Sequence, residues 1–161
     1  MKNNSYYYLF TLIIAAVSLF IDIISKLFII KFIKNPIDII PGFFSLVHSV
    51  NQGAIFGTFQ GMLPLFLFIT LVFLIIVFYA KDKLIGNKLL CISYGLIVGG
   101  ALGNIIDRLV LPPYGGVTDF LDFHLKTASS LLSYPVFNIA DICIVVGVII
   151  FIFTFKTKEK I

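Results

Sequence analysis

Apolar residues run along this chain in long blocks, and charged residues fall mostly between the blocks rather than inside them. Four blocks, at residues 8–30, 63–80, 89–111 and 139–155, are long enough to cross a hydrocarbon core as helices, a crossing that takes about 20 residues. Pro64 opens the second at a tolerated first-turn position, and Lys81, Asp82 and Lys83 end it sharply. Between the first two blocks, segment 31–62 carries Pro36, Pro41, Gly42 and an alternating run from Phe44 to Val50, which predicts short strands joined by turns at the membrane surface. Gly95, Gly99 and Gly103 recur at every fourth position of the third block and place three small residues on one helix face, where a neighbouring helix can approach closely.

Composition turns these blocks into membrane spans. Of 161 residues, 60% are apolar and only 12% charged, and the mean hydropathy of +1.08 lies far outside the range of soluble domains. The expected fold is an all-α integral membrane protein, one membrane domain over residues 1–161, with four transmembrane helices and a small extracytoplasmic β-rich segment. A net charge of +4 could suggest a nucleic-acid partner, but the lysines sit at helix ends rather than on one face. They report topology instead: Lys2, then Lys81, Lys83 and Lys88, then Lys156, Lys158 and Lys160 mark the cytoplasmic side. Both termini then face inward, leaving 31–62 and 112–138 as the outer segments. Tyr6, Tyr7, Tyr8, Tyr79 and Tyr134 lie near span ends, as interfacial anchors do. The first block is longer than the apolar core of a cleaved leader and reads as a retained span. Cys91 and Cys143 fall toward opposite ends of their spans, too far apart on this topology for a disulfide.

Ionisable groups at membrane depth need a reason, because each costs several kcal/mol unless paired or hydrated. Asp22 and Lys26 are four apart on one face of the first span and can form a neutralising pair. Asn104, Asp107 and Arg108 close the third span, as an interfacial cap with a snorkelling Arg or as a polar brace in which Arg108 holds a carboxylate or carbonyl. Asn138 and Asp141 open the fourth span with a capping-box-like spacing. Asp119 and Asp122 are, taken singly, ordinary loop acids of the outer segment. Antiparallel spans nevertheless put Asp22, Asn104, Arg108, Asp119 and Asp141 all toward the outer face, and that common layer is a better candidate site than scattered structural acids. Two carboxylates there can share a proton, one acting as acid and the other as base in peptide hydrolysis. His48 and His124 are isolated and belong to no metal-ligand pattern, so neither metal nor cofactor is expected. A small transporter or proton-coupled channel and a purely structural bundle remain as alternatives, distinguished by whether polar residues continue into the inner leaflet.

The same residues carry a family resemblance. Asp22 with Lys26, the run Asn51-Gln52-Gly53-Ala54-Ile55-Phe56-Gly57, the run Gly99 to Arg108, Val117-Thr118-Asp119-Phe120 and Phe137-Asn138-Ile139-Ala140-Asp141 occur in that order. With them the chain resembles lipoprotein signal peptidase, the type II signal peptidase of bacteria, over essentially its whole length. The resemblance implies an aspartic endopeptidase of the bacterial cytoplasmic membrane; the expected partners are membrane lipid and the substrate, with the protein itself a monomer. Its substrates would be prolipoproteins already diacylglycerated on a cysteine, cleaved just before that cysteine. It further implies that Asp119 and Asp141 are the catalytic pair and that Asp22, Lys26, Asn51, Gly53, Asn104, Arg108, Asn138 and Ala140 support or line the site. The Asp119 to Asp141 interval is slightly longer than is usual for the family; this concerns the loop from Lys126 to Tyr134 and touches none of the motifs.

Overall fold

The computed structural model describes residues 4–52, 87–111, 116–126 and 131–158, together with Phe68, Leu71, Val72, Ile75 and Tyr79. Along the chain come α1 (Asn4–Phe32), β1 (Ile37–Ile40), β2 (Phe44–Asn51), α2 (Lys88–Leu109), β3 (Val117–Lys126), β4 (Leu131–Ser133) and α3 (Ile139–Lys158). Three of the four apolar blocks are therefore helical within a few residues of their expected bounds. The block at 63–80 lies outside the described residues except for the five just named, which are helical with exposed side chains. Helices α1 and α2, of 29 and 22 residues, are each long and apolar enough to cross a membrane, and α3 is apolar over Ile139–Thr154.

Helix α1 shows why the pattern folds this way. Its buried positions are Ala15, Ser18, Asp22, Lys26 and Ile29, at spacings of three and four, so they form one stripe along the helix. Leu12, Phe20 and Phe28 point away from that stripe and are exposed, which suits lipid better than water. Asn87 starts α2, its side-chain oxygen accepting the Leu90 N–H at 3.2 Å in the manner of an N-cap.

The described chain forms two compact units. The first, comprising Met1–Asp22, Pro64–Ile105 and Ile139–Ile161, packs helices. Leu90, Cys91 and Tyr94 form a core against Tyr7, Tyr8, Phe10 and Phe151, with Tyr94 edge-on to Phe151 at 5.7 Å. The glycine stripe of α2 faces α1: a Cβ at Gly95 would lie 2.6 Å from the Ile14 Cβ, and one at Gly99 would run into the Ser18 hydroxyl and the Ala15 carbonyl. Gly100 sits against the Ala140 carbonyl, and Gly147 of α3 against the Ser93 carbonyl. The missing side chains thus let both α1 and α3 close onto α2. Ser93 Oγ donates to the Gly147 carbonyl at 2.7 Å and Ser18 Oγ to the Ala15 carbonyl at 3.1 Å, so these buried hydroxyls are satisfied.

The second unit, Ile23–Leu63 with Ile106–Asn138, contains an antiparallel sheet in the order β1-β2-β3-β4. The β1–β2 connection follows the expected turn residues. The Ile40 carbonyl accepts the Phe43 N–H at 3.0 Å across Pro41 and Gly42, and Gly42 takes a φ of 76° that suits glycine. Sequence reasoning put strands only in 31–62; the sheet also recruits 117–126 and 131–133 from the second outer segment. Strand β3 alternates Val117, Asp119, Leu121, Phe123 and Leu125 with Thr118, Phe120, Asp122, His124 and Lys126, a period-2 pattern that its acids disguise. Phe123 anchors the sheet, stacked on Phe44 at 4.6 Å and on Phe137 at 5.7 Å.

Close packing at the glycine stripe is testable. Alanine in place of glycine favours a helix by about 1 kcal/mol, whereas overpacking against a backbone carbonyl costs about 1–3 kcal/mol. Gly99→Ala is therefore expected to lower the unfolding temperature in detergent despite its better propensity. An unchanged or raised temperature would show that α1 yields to the extra methyl.

Candidate active site

Asp119 comes from the middle of a hydrophobic face. On β3 it shares its side with Val117, Leu121 and Phe123, and only 3% of it is exposed. Both carboxylate oxygens are held: Asn138 Nδ2 donates to Oδ1 at 2.6 Å, and Asn51 Nδ2 donates to Oδ2 at 3.1 Å. The register explains the second bond. Ser49 lies opposite Asp119 and Asn51 opposite Val117, so Asn51 is the diagonal neighbour of Asp119 across the β2–β3 ladder. One extra residue on β2 between Leu46 and Ser49 sets that alignment, a bulge that re-aims the end of the strand.

Behind β3 lies a buried ion pair. Lys26 Nζ stands 3.1 Å from Asp107 Oδ2, with both side chains withdrawn from solvent. The same Asp107 oxygen accepts the Thr118 N–H at 2.6 Å, and its other oxygen accepts the Thr118 hydroxyl at 3.3 Å. Three donors thus meet one carboxylate, which is what a charge at this depth requires.

In the helical unit, Asp141 occupies the first turn of α3, where the helix N-terminus favours a carboxylate. Asn104 Nδ2 from α2 donates to its Oδ1 at 3.0 Å. Asp22 of α1 reaches the same helix end: its Oδ1 accepts the Ala140 N–H at 2.8 Å, one of the first-turn donors that α3 itself cannot satisfy. The Asp22 carboxylate fits because Gly103 lacks a Cβ, which would collide with Oδ2 and lie 3.6 Å from the Ala140 Cβ. Ala140 beside this contact is fully buried. Beyond their capping-box-like spacing, the Asn138 amide donates to Asp119 and the Asp141 carboxylate accepts the Asn104 amide.

A family model described as Signal peptidase (SPase) II matches residues 14–156. The chain belongs to the signal peptidase II family. The lipoprotein signal peptidase of Halothermothrix orenii is 37% identical over 153 residues, which covers 92% of this chain and 97% of that protein. That of Clostridium acetobutylicum is 38% identical over 142 residues, covering 86% and 88%. Among solved structures, a bacterial membrane enzyme determined by the in meso method at 2.3 Å resolution superposes with a TM-score of 0.78 at 30% identity, covering 92% of this chain and 88% of that one. A second such structure, at 1.9 Å resolution, gives 0.75 at 31% identity. The fold is thus that of a membrane enzyme, helical with a small antiparallel sheet.

For this signal peptidase II family member, the structure groups the expected site residues by unit. Lys26, Asn51, Asn138 and Asp119 fall in the sheet-bearing unit with Asp107 and Thr118; Asp22, Asn104, Ala140 and Asp141 fall in the helical unit. Arg108 is half-buried in the last turn of α2, and Gly53 lies outside the described residues. Asp107 was legible only as part of a cap or brace, and Thr118 only as a letter of a motif. The signal that could have found Asp107 is Lys26 itself, an intramembrane cation for which an acid on a neighbouring helix is as good a partner as one four residues back. Asp122, three residues past Asp119 on the same strand, points to the opposite face and lies 3.3 Å from His124 Nδ1.

These placements separate the two acids of β3. Asp122→Asn is expected to keep cleavage within about fivefold, the most that loss of a partly exposed polar contact accounts for. Asn138→Ala, which frees one oxygen of Asp119, is expected to lower kcat about a hundredfold through misplacement. Turnover of the purified, folded variants checks both, and equal effects would contradict the assignment of the two faces.

Proposed function

We infer that this protein is an aspartic endopeptidase that removes signal peptides from diacylglyceryl-modified bacterial prolipoproteins, cutting just before the lipidated cysteine. The observation that carries the reading is the family match over residues 14–156, a stretch that includes two aspartates whose carboxylates are each gripped by asparagine amides. Asp119 and Asp141 form the catalytic pair, and only three positions separate Asp141 from Asn138, the residue that holds Asp119. One carboxyl is ionised and the other protonated, since two neighbouring carboxylates do not easily both carry charge. The ionised partner takes a proton from water as its oxygen attacks the scissile carbonyl carbon; the protonated partner gives its proton to the carbonyl oxygen. The resulting gem-diol collapses when one hydroxyl gives its proton to the carboxylate that is now ionised, while the carboxyl that took the water proton protonates the amine nitrogen as the C–N bond breaks. No metal takes part. The asparagine amides keep the carboxylates oriented through the cycle, so that little reorganisation accompanies the reaction.

The substrate is an apolar signal helix with two acyl chains, which can enter laterally from lipid. The protein works as a monomeric membrane domain in the bacterial cytoplasmic membrane. It has four spans, both termini and the Lys81 to Lys88 loop in the cytoplasm, and the site toward the outer face, as the basic clusters favour.

Two experiments test this reading. Asp119→Asn and Asp141→Asn should each abolish turnover of a lipidated precursor while folded protein still accumulates, and the double variant should be scarcely worse than either, because the pair acts as one unit. Near-normal turnover by either single variant would remove the dyad. Reporter fusions after Lys160 and within the Lys81 to Lys88 loop should report the cytoplasm; an outward signal after Lys160 would break the four-span topology.

A further inference from the structure

Asp107 is nearly as buried as any side chain described, at 1% exposure, and its surroundings exceed what charge neutralisation requires. Lys26 Nζ at 3.1 Å would by itself balance the carboxylate. The carboxylate nonetheless also grips Thr118, by the backbone N–H at 2.6 Å and by the hydroxyl at 3.3 Å. The topology of β3 explains why. On the side away from β2, strand β4 pairs only with His124 to Lys126, and the Phe137 carbonyl accepts the N–H groups of Phe120 and Leu121. Nearer the start of the strand, Asp107 of α2 supplies the acceptor that a neighbouring strand would provide, at the residue immediately before Asp119.

We propose that Asp107, neutralised by Lys26, is a positioning residue that fixes the Thr118 N–H and so holds β3 where Asp119 meets the amides of Asn51 and Asn138. The proposal rests on the reading of Asp119 as catalytic. Lys26 lets a charged acceptor exist at this depth, and a charged acceptor holds an N–H about twice as strongly as a neutral one. Asp107 touches no reacting atom. Its effect passes through one peptide unit to the next side chain.

The test compares two charge-neutral replacements of the pair in the full-length, detergent-purified protein. Lys26→Met with Asp107→Asn keeps a neutral acceptor for Thr118, whereas Lys26→Met with Asp107→Leu keeps only packing. The leucine protein leaves the buried Thr118 N–H without this acceptor and is expected to unfold at a lower temperature than the asparagine protein, so kcat is measured well below both unfolding temperatures, where both are fully folded. For cleavage of a diacylated prolipoprotein, kcat is expected to fall by about tenfold or less in the asparagine protein and by about a hundredfold or more in the leucine protein, with KM within about threefold in both. A merely structural role predicts lower stability but equal kcat per folded molecule, and equal values, or a loss confined to KM, would overturn the proposal. If the leucine protein does not fold, Thr118→Pro deletes the same bond from the donor side at an N–H that β2 does not use, and a folded Thr118→Pro protein with wild-type kcat is equally fatal. Asp119→Asn measured in parallel separates the two claims. If it is inactive, equal kcat values in the two double variants refute Asp107 alone; if it turns over normally, the catalytic reading fails and the positioning role falls with it.

Discussion

A charged side chain carried into an apolar interior costs several kcal/mol unless partners meet it there. This chain takes Asp22, Lys26, Asp107 and Asp119 to within 3% of complete burial, so its helices and strands must be arranged to meet them. Each is met by a group from a distant part of the sequence: Asp22 by the Ala140 N–H, Lys26 by Asp107, Asp107 also by Thr118, and Asp119 by Asn51 and Asn138. The glycines follow from the same requirement. A Cβ at Gly103 would strike the Asp22 carboxylate, and a Cβ at Gly99 would strike α1 itself, so the polar contacts form only because α2 presents no side chain there.

Several of these groups complete secondary structure as well as balance charge. Asp22 takes a first-turn N–H of α3 from outside that helix, and Asp107 accepts a backbone N–H of β3 as a neighbouring strand would. Both Asp119 and Asp141 therefore sit within two residues of a backbone N–H pinned by another buried carboxylate. In an enzyme of this family, which removes signal peptides from prolipoproteins, such pinning fixes the backbone beside each aspartate in largely apolar surroundings.

Much of this was readable in advance. The helices followed from block length alone, the Pro41-Gly42 turn from its residues, and the packing face of α2 from glycines spaced by four. Five short motifs in order were enough to indicate the family. What escaped was the partner of each polar group, because partners such as Asp107 and Lys26 are 81 positions apart in the sequence and nothing in their local pattern pairs them. Strand β3 escaped for a related reason. Its apolar face contains Asp119, and an acid at an inward position breaks the alternation by which strands are recognised. Such a departure from pattern is where a site commonly overrides a local rule.

The most direct measurement is the mass of the products when the purified protein is incubated with a prolipoprotein whose cysteine carries the diacylglyceryl group. The account predicts two species: a free signal peptide ending at the residue before that cysteine, and a mature protein beginning with the lipidated cysteine and bearing a new free amine. An uncut precursor, or cleavage at any other bond, would contradict it.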